Sequence, residues 1–526
     1  MNGKPKIFSN AQFNVGRLLA LAERLHGQPC RCDQGQRPFA GSMNWAIVLT
    51  FDNGIQWIFR SPLPGVFSDD FVAKIITSEV VTTRCILARS SVPVPEIYAF
   101  SASRDNEIGV PYILQSKATG HCLLDYSIRE AQGLPGLSDR QRAKVMQQLG
   151  VFTQQLECIR FPQIGSLVLK HDVDGHDGRA NANANNNDND NGECIVGPCL
   201  SPALTWHMRH LLDDLDRGPF ASEKDYFDAL AVALARHAQE LPMTHHVLLA
   251  PIPQPVEYPS REQYQKAVGR WNSFVVVGNK IEHSRNRFAY CVAADVLRQT
   301  VVPRLLCRDE TRDTVDTVDT VNGMDGCNAG FPLMHPDLHV GNIFVDDAMN
   351  ITCIIDWSSA TTVPAAELFA TPRLWEHKEP EVRPAFRQSA GAALAPAFGS
   401  SRAFWARSDK IRVFQRLVRF SSSRDYDYLA ELVSDDVTDC DGLLDLLEQH
   451  AQEPQNKALL TELQEDDASS GEVAEYERAS SNAADWRAET NVMAVARKLT
   501  VMWHMNPRFV ADRRLWRWLG AALDSD

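Results

Sequence analysis

The sequence predicts an α+β chain of two lobes: a small N-terminal lobe built on an antiparallel sheet and a large, mainly helical C-terminal lobe. Three observations lead there. Apolar residues alternate through residues 45–59 on either side of Asp52-Asn53-Gly54, the residue types a tight hairpin turn needs. Beyond Lys117 the apolar residues recur mainly at helical spacing. The 526 residues are enough for two or more lobes with cores of their own.

Taken in order, the first helix is expected over residues 14–25, where Val15, Leu18, Leu19, Ala22 and Leu25 form one stripe. In the second hairpin strand Ile55, Trp57 and Phe59 share one face, and Ile58 and Arg60 share the other. A helix from Asp69 or Asp70 to Ala88 follows, with Phe71, Ile75, Glu79 and Ile86 near one face. That places a carboxylate inside an apolar stripe, which is expensive unless a cation meets it, and Arg60 is the expected partner. The alternative is a solvated Glu79 at the stripe's edge. Pro93 and Pro95 end the helix and lead into strands over residues 96–100 and 111–115. Lys117-Ala118-Thr119-Gly120 then reads as the crossing between lobes, with a hinge near residues 114–117.

Helices are expected over residues 140–158 and 264–279, interrupted by two inserts. The Asn/Asp-rich tract between Asp172 and Gly192 has too little apolar surface to order itself and lacks the ligand pattern of a calcium loop. The repeat Thr314-Val315-Asp316-Thr317-Val318-Asp319 reads as a surface insertion. The last hundred residues are acidic and helical, and Trp503, Trp516 and Trp518 are expected to dock the tail on the core. The resulting division is an N-terminal helical segment (1–32), an N-lobe (33–116), a C-lobe (117–400) with inserts at 171–193 and 308–330, and a helical extension (401–526).

Composition narrows the partners. Hydrophobic residues at 44% and charged residues at 23% are ordinary for a globular chain, and a net charge of −14 would repel a phosphate backbone. With no basic run interleaved with aromatics, nucleic acid is not an expected partner. Residues 1–12 lack the apolar core of a secretory signal, and no stretch approaches the roughly 20 apolar residues that span a bilayer. No membrane partner is expected, and the cytoplasm is the expected compartment. The twelve cysteines are scattered without zinc-site spacing, so reduced thiols are expected and Asn350-Ile351-Thr352 is a chance sequon.

The chemistry is concentrated in His335-Pro336-Asp337-Leu338-His339-Val340-Gly341-Asn342 and the apolar hairpin that follows it. Phosphoryl transfer needs a carboxylate aligned with the acceptor hydroxyl, hard oxygen donors for a metal, and a cation near the phosphates. Asp337 would accept the hydroxyl proton. Strands 343–345 and 351–355 would carry Asp356 back toward Asn342, so that both hold magnesium at one edge. The bland reading is that His335 and Asp337 only hydrogen-bond a loop while Asp356 caps a turn. Two apolar strands ending in an aspartate, directly after the motif, weigh against it.

Residues 331–345 with Ile355-Asp356-Trp357 resemble the aminoglycoside phosphotransferase family, in its fungal branch, within the protein-kinase-like fold. Gly41-Ser42-Met43-Asn44-Trp45, Trp57-Ile58-Phe59-Arg60-Ser61-Pro62, Glu79, Val94-Pro95-Glu96 and Val196-Gly197-Pro198 stand in the order that family shows. The resemblance covers about residues 41–375 without the inserts. It implies Asp337 as catalytic base and Asn342 and Asp356 as magnesium ligands. Gly41, Ser42, Asn44, Arg60 and Glu79 would bind nucleotide, and His335 and His339 would support the catalytic loop. ATP and Mg2+ are the implied cofactors, and the implied reaction is phosphorylation of a hydroxyl on a small molecule, with a cationic acceptor suiting the acidic chain. Arg60 stands where many kinase-like enzymes carry lysine, Pro336 replaces a usual glycine, and the loop 41–44 is poor in glycine. Those departures keep a catalytically weak scaffold of the pseudokinase type as the alternative. A protein kinase comes third, because Asp-Phe-Gly and Ala-Pro-Glu are missing and Asp356-Trp357-Ser358 stands at the former place.

Overall fold

The computed structural model describes residues 6–41, 43–170, 194–243, 259–261, 263, 284–306, 330–375, 378–392, 402–420, 425–433 and 440–465. The expected helix 264–279, both inserts up to residue 329 and the tryptophan-rich tail lie outside the described residues. The chain divides into two compact units. The first comprises Met1–Pro202, Asp216–Glu223 and Asp309–Asp409, and the second Ala203–Leu215, Lys224–Arg308 and Lys410–Asp526.

The first unit opens with α1 (Val15–His26), whose N-terminus is capped by the Asn14 side chain accepting from the Arg17 amide at 3.1 Å. Six strands form one antiparallel sheet: β1 (Cys30–Arg31), β2 (Phe39–Ala40), β3 (Asn44–Phe51), β4 (Gln56–Pro62), β5 (Ile97–Ser101) and β6 (Tyr112–Ser116). Their order is β1-β3-β4-β6-β5, with β2 also paired to β3. The alternation in β3 and β4 buries Trp45, Ile47, Leu49, Phe51, Trp57 and Phe59 in a cluster that α1 covers with Leu18 and Ala22. Ile55 departs from its expected place on that face. The hairpin loop closes through the Phe51 amide and the Ile55 carbonyl (2.9 Å), so Ile55 belongs to the turn and is 46% exposed.

Helix α2 (Asp69–Arg89) lies on the other side of the sheet, where Val72, Ile76 and Val80 pack with Ile113 of β6. Its N-terminus carries Asp69 and Asp70, which suit the helix dipole, and Ser68 caps it. After β6 the chain passes Gly120 (φ +85°), where an added Cβ would lie 2.2 Å from the Val345 carbonyl oxygen. Only glycine permits that approach, and it brings β7 (His121–Cys122) beside the hairpin that carries the candidate site. Helices α3 (Leu123–Ala131) and α4 (Asp139–Glu157) follow, the latter opened by a Ser138/Gln141 capping box.

Short strands complete the unit: β8 (Arg160–Phe161), β9 (Ser166–Leu169), β10 (Cys194–Gly197), β11 (Phe331–Met334), β12 (Ile343–Val345), β13 (Ile351–Ile354) and β14 (Thr361–Thr362). β12 pairs with both β7 and β13, while β11 lies between β8 and β14. One apolar core joins α2 (Val81, Cys85, Ile86), α4 (Val145, Met146, Leu149) and this hairpin (Ile343, Val345, Ile351, Ile354). The antiparallel sheet toward the N-terminus and the helical region after it make the molecule α+β. The second unit is helical, with Glu223–Glu240, Ser284–Val296, Arg402–Val418, Asp425–Val433, Cys440–Ala451 and Pro454–Glu465 contributing to it. Nine of the cysteines among the described residues, from Cys30 to Cys353, are free thiols, and no helix among those residues is long and apolar enough to cross a membrane.

Candidate active site

Period-two geometry in β4 sends Trp57 and Phe59 into the core against α1 and turns Arg60 toward α2. Glu79 meets it there, 5% exposed, with Arg60 Nη2 at 2.5 Å from Glu79 Oε1. The same guanidinium reaches a second carboxylate, Nη1 lying 3.3 Å from Asp356 Oδ1. One cation thus ties the sheet, helix α2 and the end of the β12–β13 hairpin. Burial opposes the Arg60 charge, but Glu79 and then Asp356 outweigh it and hold its pKa above the ordinary value. A lysine has no fork to span two carboxylates in this way, so arginine is the residue type that fits the bridge.

The loop after β11 is organised by His335. Its Nε2 lies 3.0 Å from the Ile355 carbonyl and its Nδ1 accepts the Asp337 amide at 3.2 Å. Nδ1 must be unprotonated to accept, so the ring is neutral and Nε2–H donates to Ile355. Burial lowers the His335 pKa, which favours that form. Trp357 backs the ring edge-on at 4.7 Å.

Asn342 is 6% exposed and donates from Nδ2 to the Asp337 carbonyl at 3.0 Å. Its backbone carbonyl accepts the Ile355 amide at 2.9 Å, and Ile343 pairs with Ile354. These bonds hold the end of β13, two residues before Asp356, beside the residue that precedes β12. Asp337 is 44% exposed at its side chain, with His339 Nε2 at 3.7 Å from Oδ2, beyond hydrogen-bond length. His339 instead caps the short turn Val340–Asn342, its Nδ1 accepting the Gly341 amide at 2.9 Å.

Asp356 adopts a left-handed backbone (φ +67°), a strained conformation that Asp tolerates better than most residues. Its Oδ1 receives both Arg60 and the Ser358 hydroxyl, the latter at 3.0 Å. Sequence reasoning missed Ser358, although a hydroxyl two residues after a carboxylate is a recognisable local hydrogen-bond pattern. The donor set suits a hard divalent cation: the Asn342 amide nitrogen is engaged, which leaves its oxygen, and the bonds just described leave Asp356 Oδ2.

Gly41 and Asn44 form a tight connection between β2 and β3, the Gly41 amide donating to the Asn44 carbonyl at 2.9 Å. Asn44 pairs with Pro62, and Ala46, two residues on, pairs with Arg60. That loop shares a sheet end with Arg60, and among the described residues its bonds join it to neither Asp337 nor Asn342. Ser42 lies outside the described residues.

No family model matches the chain. A subtelomeric hrmA-associated cluster protein of Aspergillus fumigatus is 24% identical over 346 residues, covering 64% of this chain and 59% of the relative. The mitochondrial protein "altered inheritance of mitochondria protein 9" of Yarrowia lipolytica is 25% identical over 246 residues, 46% of this chain and 38% of the relative. The chain thus spans less than two thirds of the curated relatives it matches. Among solved structures, a thermostable mutant of the aminoglycoside phosphotransferase APH(4)-Ia in complex with AMP-PNP and hygromycin B is 12% identical, covering 84% of this chain and 97% of that one, at a TM-score of 0.37. The macrolide 2'-phosphotransferase MphH of Brachybacterium faecium is 14% identical, covering 80% and 99%, at a TM-score of 0.33.

Proposed function

We propose that the first unit is an ATP- and magnesium-dependent phosphotransferase of protein-kinase-like fold that acts on a hydroxyl of a small molecule. The observation that supports it best is the grouping of Asp337, Asn342 and Asp356, through the bonds from Asn342 Nδ2 to the Asp337 carbonyl (3.0 Å) and from the Ile355 amide to the Asn342 carbonyl (2.9 Å). When bound, magnesium and ATP supply the phosphoryl group and the cation that offsets its charge. Asn342 and Asp356 would hold the metal through side-chain oxygens, with Ser358 fixing the Asp356 rotamer. Arg60 would pair phosphate oxygens through the N–H groups its carboxylate contacts leave, while Glu79 keeps the guanidinium in place. Gly41, Ser42 and Asn44 would cover the nucleotide. Asp337, half exposed, would align the acceptor hydroxyl and take its proton, with its backbone fixed by neutral His335 and by Asn342.

The acceptor class we propose is a small, cationic hydroxyl compound, with neither nucleic acid nor membrane as a partner. The proposed compartment is the cytoplasm, which competes with the mitochondrial location carried in the name of the Yarrowia relative. Cell fractionation decides between them.

A second reading, a nucleotide-binding scaffold with weak catalysis, is favoured by one feature: Arg60 is already committed to two carboxylates. Magnesium-dependent ATP consumption, scored across a panel of hydroxyl metabolites, separates the two. The enzyme reading expects acceptor-stimulated turnover that falls on the order of 10²–10⁴-fold in Asp337→Ala. Turnover unchanged in that variant removes Asp337 as the base. Nucleotide binding without turnover against any acceptor favours the scaffold.

A further inference from the structure

In the second unit three potential metal ligands converge from separate helical segments. Asp295 lies near the C-terminus of Ser284–Val296, His450 in the last turn of Cys440–Ala451, and Glu453 in the break before Pro454–Glu465. One ligand atom from each lies within 4.8 Å of the others. We infer that Asp295, His450 and Glu453 form a binding site for a divalent first-row transition ion of the zinc or cobalt class, separate from the proposed active-site residues.

The histidine sets this cluster apart from ordinary acidic surface. His450 is 5% exposed, and its Nδ1 is buried with no hydrogen-bond partner among the described residues. That nitrogen faces Glu453 Oε1 at 3.6 Å, too long for a hydrogen bond but close enough to share an ion. A buried, unsatisfied ring nitrogen is costly, and metal coordination would satisfy it. Charge points the same way. Two carboxylates beside one imidazole remain net negative whether or not the ring is protonated, and a divalent cation balances the neutral-imidazole form. One nitrogen and two oxygens suit zinc, cobalt or manganese better than magnesium or calcium, which favour oxygen alone.

The surroundings already orient the ligands. Asn456, 4% exposed, donates from Nδ2 to Asp295 Oδ2 at 2.8 Å and to the His450 carbonyl at 2.9 Å. It thus fixes one ligand against the helix end that carries another, as an outer-shell partner does in metal sites. Two residues past Asp295 the helix widens into a π turn, Leu297–Val301, a geometry frequent at functional sites. Tetrahedral ligand atoms at metal–ligand distances of about 2.0–2.2 Å lie about 3.3–3.6 Å apart, so side-chain rotation would have to close the cluster by roughly 1 Å. The ion would staple Cys440–Ala451 and Pro454–Glu465 to Ser284–Val296.

The test is Co2+ titration of the metal-stripped full chain, read by visible absorption and by thermal unfolding. The expected result is one equivalent with the weak d–d bands of nitrogen and oxygen ligands, no strong thiolate charge-transfer band, and a raised unfolding midpoint. Asp295→Asn and His450→Gln should weaken binding by at least about tenfold, and Asn456→Ala by about 10–100-fold. Asp356→Asn, in the proposed active centre, should leave the signal intact. Glu453→Gln changes a side chain that is 29% exposed and serves if the buried variants fail to fold. The inference is overturned by a wild-type chain without d–d bands or a thermal shift, by a signal that Glu453→Gln leaves unchanged, or by one that Asp356→Asn removes. Because the readout is metal uptake, its failure is distinct from a failure of ATP turnover.

Discussion

Two buried arginines, one in each unit, are held in opposite ways. Arg60 lies between two carboxylates, which keep its pKa above the ordinary value against the effect of burial. Arg209, fully buried in the second unit, has neutral groups among its contacts: the Ala203 and Val418 carbonyls at 2.5 and 2.6 Å, the Phe420 ring at 4.9 Å, and His237 Nδ1 at 3.4 Å. Burial pulls its pKa down to about 9. The same side chain is a strongly held cation in one setting and a desolvated donor fork in the other. Carboxylate partners let a buried charge persist beside chemistry, whereas carbonyls and rings mainly use its hydrogen-bond geometry to pack helices.

Glu79→Ala leaves Arg60 with only the longer contact to Asp356, and breaking a buried pair in this way is expected to destabilise by about 3–5 kcal/mol in urea unfolding. A loss smaller than that of Arg209→Met would invert the contrast. Arg60→Ala should lower ATP turnover about 10²–10³-fold, about 2.7–4 kcal/mol of barrier. Turnover that survives it moves the phosphate cation elsewhere and favours another residue for that role. Arg209→Met should leave two carbonyls without their donor at about 1–3 kcal/mol, offset in part by relief of a desolvated charge.

The smallest effect is a pH slope. His237, beside Arg209, lies with Nε2 3.1 Å from the Pro242 carbonyl, and burial followed by the Arg209 charge lowers its pKa from 6.5 to about 3. The unfolded chain therefore takes up this proton first as pH falls. Stability supplied by the neutral ring is complete above about 6.5 and lost progressively down to about 3, with a slope of at most about 1.4 kcal/mol per pH unit. His237→Gln can keep both hydrogen bonds without titrating. Its unfolding free energy should fall less steeply than that of the wild type over this range, and parallel curves would show that His237 is not buried neutral.

Much of the first unit was legible because its signals are local. Asp52-Asn53-Gly54 marked the hairpin, and the apolar run after Asn342 announced β12 and β13; the stripe Phe71-Ile75-Glu79-Ile86 caught the buried Glu79 and Ile86, but the residues that pack on the sheet are Val72, Ile76 and Val80, one position on from the expected Phe71 and Ile75. Ile55 was misassigned because alternation alone does not show where a loop closes, and the bond from Phe51 takes it out of the strand. Ser358 was passed over because its role depends on the left-handed turn at Asp356, which no periodicity encodes. Asp295, His450 and Glu453 gave no motif at all. Only two of them are near neighbours in sequence, and neither matches a familiar metal spacing.

The amino-acid sequence carried most of the local element types and pointed to a candidate proton acceptor, because backbone periodicity, turn residues and helix caps act over a few residues, whereas the buried faces were read only in part, as Ile55 shows. The pairing of Arg60 with Glu79 was foreseeable from their faces, but its extension to Asp356 came only from the folded chain. Arg60 and Asp356 are 296 positions apart, and nothing in either neighbourhood specifies that one guanidinium should span two carboxylates. The physical reason is that strand and helix periods fix a side chain's direction, while its partner depends on how the whole core closes around it.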